Sequence, residues 1–159
     1  MDFGCGAMND IGVIAEAGFK QIDAVDSEPS VSDIAYEKVR AGIPVTFTKS
    51  SFKTFPFEAD TYDFFNAQNS IPFIKPEDFH VVMRRIKNSI KQDGVFVGTF
   101  FGPEDEWSQE PSITINTRAA LEKMFKNWTV IKFHEEKAMH PTASGKEKHW
   151  HVFTVIASR

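Results

Sequence analysis

The residues best placed to do chemistry stand at the start of the chain. Met1-Asp2-Phe3-Gly4-Cys5-Gly6-Ala7-Met8-Asn9 sets an acid before two glycines. Asp26 follows 20 residues after Gly6, at the end of the next apolar run. Without a Cβ, a glycine lets the backbone turn sharply and approach a ligand closely. A carboxylate after the second strand can accept two hydrogen bonds from the paired hydroxyls of a ribose. The spacing is the one a strand-loop-helix-strand unit produces. The pattern predicts a nucleotide-cofactor site, with Asp2, Gly4, Gly6 and Ala7 at the turn and Asp26 and Ser27 at the ribose.

The dinucleotide fingerprint G-x-G-x-x-G is broken here, because Asn9 stands where its third glycine belongs. The order Asp-x-Gly-x-Gly instead resembles the first motif of class I S-adenosylmethionine-dependent methyltransferases. That family's fuller D-x-G-x-G-x-G is interrupted by Met8. The resemblance implies that the acid and glycines wrap the methionine part of the cofactor and that the acid after the second strand holds its ribose. S-adenosylmethionine carries no pyrophosphate, which fits Asp2, whose charge would repel one. His149-Trp150-His151-Val152-Phe153 is similar to a segment near the end of small bacterial-type, tellurite-resistance-like methyltransferases. Two other readings stay open: a nicotinamide- or nucleotide-binding oxidoreductase, and a truncated relative that keeps the fold without catalysis.

In both cofactor folds the glycine loop follows a central strand of about 5 or 6 residues. Here only Met1-Asp2-Phe3 precedes it. The expectation is one methyltransferase-like domain over residues 1–159, N-terminally incomplete. Its central slot would leave neighbouring strand edges unpaired, and such edges favour self-association.

The elements that must position these residues follow in alternation. Residues 10–17 read as a helix, capped by Asn9 and stopped by Gly18. Lys20 to Val25 reads as a strand closed by Asp26. A helix capped by Ser30 or Ser32 runs through Arg40, and Pro44 to Thr48 is a β-branched strand. Lys49 to Glu58 is a loop, and Thr61 to Ala67 a strand. Pro76 opens the clearest helix, with Phe79, Val82, Met83, Ile86 and Ile90 at helical spacing and Asp93-Gly94 as its end. Val95 to Phe101 is a strand, Thr117 to Phe125 a helix, and Trp128 to Glu135 and Lys148 to Ala157 are strands. Glu136 to Glu147 reads as an exposed connection. Alternation predicts an α/β, Rossmann-like, mostly parallel sheet covered by helices on both faces. The two final strands predict an antiparallel pair at the C-terminus, which the methyltransferase resemblance also implies.

Open α/β sheets bind ligands beyond the carboxyl ends of their strands. After the third strand stand Ser51 and Phe52, a hydroxyl and a ring suited to adenine. After the fourth stand Asn66, Gln68, Asn69 and Ser70, with Ile71-Pro72-Phe73 following. The resemblance places the transferable methyl group near this cluster. Asn66 and Gln68 are assigned to the cofactor, and Asn69, Ser70, Phe73 and Trp107 to the acceptor. Methyl transfer from a sulfonium needs alignment more than a strong acid or base, so no catalytic residue is assigned. Glu104-Asp105-Glu106 could attract a cation, but reads first as a run that solvates a loop. His149 and His151 share one side of a strand, but no ligand spacing supports a metal site. Cys5 has no evident base to activate it.

At 159 residues with 42% apolar and 25% charged residues, the chain has the make-up of one globular domain. Sixteen Phe point to an aromatic core or pocket, the core favoured. A net charge of −4 gives no electrostatic case for nucleic acid. No run approaches the roughly 18 apolar residues of a membrane span. One cysteine excludes an internal disulfide and is compatible with the cytoplasm. The expected cofactor is S-adenosyl-L-methionine, and the expected partner a small-molecule methyl acceptor.

Overall fold

The computed structural model describes residues 1–159. Its strands are β1 (Asp2–Phe3), β2 (Ile22–Asp26), β3 (Val45–Lys49), β4 (Tyr62–Ala67), β5 (Ile90–Phe101), β6 (Thr129–Pro141) and β7 (Glu147–Ser158). Its helices are α1 (Asn9–Glu16), α2 (Val31–Arg40), α3 (Pro76–Ser89) and α4 (Arg118–Met124). The seven strands form one sheet in the order β3-β2-β1-β4-β5-β7-β6. β1 to β5 run parallel, and β7 is antiparallel to both β5 and β6. This is the mixed Rossmann-like sheet expected, with helices packed on both faces.

The alternating side chains of the strands feed two cores. The larger joins Phe65, Phe96, Phe100 and Phe153 of the sheet to Phe79, Val82, Met83 and Ile86 of α3 and Leu121 of α4. The smaller joins Ile22, Ala24 and Val45 to Ile11 and Ile14 of α1 and Val31 and Ala35 of α2. The abundant Phe are thus mainly core. A fully buried aromatic or aliphatic side chain contributes roughly 1.5–3 kcal/mol, so the larger cluster anchors the sheet.

The two-residue β1 does occupy the central slot. Asp2 pairs with Ala24 on one side and Asn66 on the other. Asn66 N–H donates to Met1 O at 2.9 Å, and the Met1 amine donates to Phe64 O at 2.9 Å. Three residues therefore bridge β2 and β4 at their carboxyl ends. A polar hollow of about 200 Å³, with Gln21, Asp23, Tyr62 and Lys91 in its walls, lies at the other end of that slot.

Three boundaries differ from expectation. α1 starts at Asn9, and its cap is Met8, held at φ 55° without a side-chain hydrogen bond. α3 ends at Ser89 and leads straight into β5; Asp93-Gly94 is an irregularity inside that strand. A Cβ on Gly94 would lie 2.9 Å from Tyr62 O, so the β4–β5 register shift there requires glycine. The last hairpin is also longer than expected. Glu136 to Pro141 belong to β6, and only residues 142–146 turn. β6 is an outer strand exposed along most of its length, so it has no apolar alternation to betray it.

Candidate functional site

The carboxyl ends of β1 to β4 open onto a cavity of about 610 Å³. That is within the usual range of about 300–1,000 Å³ for small-molecule sites. Gly4, Gly6, Asp26, Ser27, Ser51, Phe52, Asn69, Ser70 and Phe73 line it, so most residues singled out in the sequence do converge. Lys53, Ile74, Lys75, Glu77 and Asp78 complete the wall. Asp2, Ala7, Asn66, Gln68 and Trp107 are not part of the lining.

The turn after β1 is built by its glycines. Gly4 has φ 78° and Gly6 φ 44°, in the left-handed region that L side chains rarely adopt. A Cβ on Gly4 would fall 2.3 Å from Ser70 Cβ and 3.1 Å from Phe52 Cζ. Gly4 N–H donates to Val25 O at 2.8 Å, and Ser70 Oγ donates to Phe3 O at 2.6 Å. The first turn, the end of β2 and the loop after β4 are therefore locked together.

Asp26 ties the same turn from the other side. Its Oδ2 accepts from Gly6 N–H at 2.9 Å, and its Oδ1 from Glu28 N–H at 2.9 Å. A carboxylate offers about four lone-pair sites, so two acceptor positions remain for a ligand hydroxyl pair.

Asp2 is 3% exposed, and burial pushes its carboxyl up to about 6 against the opposing hydrogen bond from Asn66. Its Oδ1 accepts from Asn66 Nδ2 at 2.9 Å, while Oδ2 has no partner. Asn66 Nδ2 also donates to Asp10 Oδ2 at 2.9 Å, and Asn66 Oδ1 accepts from Gln68 Nε2 at 3.2 Å. The Asn66 amide thus bridges two acids behind the turn. Asn69 stands at φ 53° with its N–H on Thr99 Oγ1 at 2.7 Å. It lies in the turn two residues beyond β4, in the left-handed conformation that asparagine takes more readily than other side-chain-bearing residues.

Ser51 and Phe52, the two residues expected at adenine, both stand in the cavity wall. Phe52 lines the cavity and packs on Phe3 at 4.5 Å between ring centroids. Ser51 Oγ pairs with Thr54 Oγ1 at 2.8 Å, closing the loop on itself. The first turn of α3 brings Lys75, Glu77 and Asp78 to the rim, and Lys53 meets Asp78 at 2.9 Å. Pro76 at the helix start was the only sequence signal for that wall.

Three other features take definite places. Cys5 is buried, and desolvation pushes its thiol up to about 12, the opposite of what activates a thiolate nucleophile. His151 is buried; its Nδ1 accepts from Glu104 N–H at 3.1 Å and its Nε2 meets Glu135 Oε1 at 3.0 Å. Asp105, read as part of a solvated run, is instead 2% exposed and paired with Lys148 at 2.5 Å. Alone of the three acids in that run, Asp105 is buried, and a cation from β7 reaches it, a contact that no local pattern announces.

A family model described as a methyltransferase domain matches residues 1–94. None of the curated proteins matches the chain. Among solved structures, TehB from Haemophilus influenzae superposes with TM-score 0.83 at 14% identity, covering 99% of this chain and 56% of that one. The chain thus spans little more than half the length of that protein. A SAM-dependent methyltransferase from Methanosarcina mazei gives 0.76 at 15% identity, over 99% of this chain and 90% of its own. The Burkholderia thailandensis 1,6-didemethyltoxoflavin-N1-methyltransferase, with bound 1,6-didemethyltoxoflavin and S-adenosylhomocysteine, gives 0.70 at 18%, over 99% and 69%. At such identities the structural likeness speaks for the fold, and it is the family match over more than half the sequence that shows the chain to belong to the methyltransferase-domain family.

Proposed function

We propose that the protein is an S-adenosylmethionine-dependent methyltransferase acting on a small molecule. The observation that carries this reading is the joint made by Gly6 N–H and Asp26 Oδ2 at 2.9 Å. It brings the glycine turn and the ribose-suited acid, 20 residues apart, to one wall of one cavity. The residues fit the cofactor. The unpartnered Oδ2 of Asp2, behind the glycine turn, is a buried acceptor that a water bridging to the cofactor's ammonium would satisfy. Gly4 and Gly6 leave the cavity wall free of side chains where the methionine part would lie. Asp26 and Ser27 suit the ribose, and Phe52 and Ser51 the adenine. Ala7, Asn66 and Gln68 shape the turn and the acids around it rather than touching the ligand.

When bound, the cofactor supplies a sulfonium methyl whose S–CH3 bond breaks with its electron pair to sulfur as an acceptor lone pair forms the new bond. What this chain contributes is alignment and exclusion of water. Ser70, bonded to Phe3 O, and Asn69, bonded to Thr99, fix the loop that faces the reacting end. Neither brings a charge. The structural neighbours named above that methylate or bind S-adenosyl compounds support the reading by analogy.

The test is thermal. S-adenosylmethionine or S-adenosylhomocysteine at a hundredfold excess over Kd should stabilise the chain by about 2.7 kcal/mol, read as a rise in Tm. NAD should leave Tm unchanged. Equal stabilisation by NAD would return the oxidoreductase reading, and no response to any of the three would favour a non-catalytic relative.

A further inference from the structure

Beside the cavity, Lys148 is buried in a box of aromatic rings. Its Nζ lies 3.6 Å from the Trp150 ring centroid, 4.3 Å from Trp107 and 4.9 Å from Phe101. Its side chain is 1% exposed and that of its partner Asp105 0%. Asp105 is fully engaged: Oδ1 also accepts from Trp107 N–H at 3.0 Å, and Oδ2 from His151 N–H at 3.1 Å. The cage is therefore filled by the protein's own cation and is no receptor for an outside one. Its effect is to hold the loop after β5, with Trp107, against β7.

Trp107 reaches the cavity through one neighbour. Its ring packs at 6.3 Å on Phe73, which lines the cavity and is 48% exposed. Phe73 also meets Phe101 at 6.0 Å. A half-exposed ring in the lining of a concave site is available to contact a ligand, since such sites are lined by apolar and aromatic side chains with a few polar groups. The nearby polar groups are neutral. Ser70 Oγ is committed to Phe3 O and Asn69 N–H to Thr99, while the Asn69 side chain makes no hydrogen bond within the protein. Of the charges on this rim, Lys53 and Asp78 form an ion pair, while Lys75 and Glu77 are opposite in sign and stand in the same wall without pairing.

We infer that Phe73, backed by Trp107, is the acceptor-binding wall, that it selects a planar, uncharged acceptor whose polar edge meets the Asn69 amide, and that Lys148 and Asp105 are positioning residues for it. The inference rests on the proposed methyltransferase reading. A rigid stacked wall loses little side-chain freedom on binding, and aromatic pairs prefer offset or edge-to-face contact with another ring. The ion pair acts through Trp107 and touches no ligand.

The experiment uses the full chain saturated with S-adenosylhomocysteine and indole as the probe, followed by saturation-transfer NMR. Indole should bind, and glycine, small and charged, should not. Phe73→Ala should weaken indole at least tenfold while S-adenosylhomocysteine affinity changes less than twofold. Lys148→Met should weaken indole similarly and alter the near-ultraviolet tryptophan circular dichroism. If that variant does not fold, Trp107→Leu reads the same support with the ion pair left in place. Indole that fails to bind, or binds Phe73→Ala as well as the wild type, overturns the inference. A wild-type chain that does not take S-adenosylhomocysteine overturns the methyltransferase reading instead.

Discussion

Replacing Asp2 with asparagine should make the apo protein more stable at pH 8 and a poorer binder. The carboxyl is buried, its Oδ2 has no partner, and desolvation raises it from 3.8 to about 6. A raised native pKa means that the folded state holds its proton longer than the unfolded one. Stability therefore falls as pH rises from about 4 through about 6, the opposite of a salt-bridged acid. At about 1.36 kcal/mol per unit, the shift corresponds to roughly 3 kcal/mol lost by pH 8. The substituted amide keeps an acceptor for Asn66 but places a nitrogen where Oδ2 had no partner, at a cost of about 1–3 kcal/mol. The net gain at pH 8 is thus on the order of 1 kcal/mol. The pH dependence of the difference is the sharper quantity, because the amide cost is constant. Burial lowers the Met1 amine to about 6, which raises stability as pH climbs from about 6 to about 8; Asp2 opposes that shift, so the variant's amine falls further and the window from about pH 4 to 6 reports Asp2 most directly. Urea unfolding of both, from pH 3.5 to 8, should show their difference moving by about 3 kcal/mol in favour of the variant. S-adenosylhomocysteine affinity at pH 8 should drop at least tenfold. A difference that stays flat across pH 4 to 7 would refute the argument that this carboxylate is held at a desolvation cost.

Two further substitutions probe the same turn. Asp26→Ala should weaken cofactor binding by about 1.5–3 kcal/mol, the range for a hydrogen bond to a charged group, measured by isothermal titration; unchanged affinity with intact circular dichroism would move the ribose contact elsewhere. Gly4→Ala should destabilise by at least about 2 kcal/mol in urea, from a left-handed φ of 78° and a Cβ 2.3 Å from Ser70 Cβ; a variant as stable as the wild type would mean that Ser70 yields freely.

What the sequence made legible was what is local. The glycine turn, the acid closing β2, the amphipathic α3 and the alternation that implies a parallel sheet all follow from spacing within about 25 residues. The position of Asp26 is such a case: the strand-helix-strand spacing placed it, and the 2.9 Å bond to Gly6 shows it in place. What escaped depends on contacts between distant segments. Asn66 carries the same signal as Asn69, a polar residue at a strand end, yet one bridges Asp2 and Asp10 behind the turn while the other faces the cavity. Asn66 is still within β4 and bonds to Asp2, 64 residues away, whereas Asn69 lies in the turn beyond the strand. The rim residues Lys75, Glu77 and Asp78 arrive only because α3 packs its first turn beside the turn of β1.

The site is assembled from groups that the fold holds at some energetic disadvantage. Asp2 is buried without a full set of partners, and Met8 and Asn69 sit at positive φ without being glycine. Each such residue costs of order 1–3 kcal/mol and persists only where neighbours over-determine it. Here the neighbours are identifiable: Val25 O and Ser70 on the glycine turn, Thr99 on Asn69, and the Phe3–Phe52 contact beneath the cavity. The large aromatic core supplies the stability that permits this, and Phe3, next to Gly4, belongs to it. A wall made of backbone turns and committed hydroxyls is pre-organised, and the proposed methyl transfer, which would depend on alignment, needs such rigidity more than it needs an acid or a base.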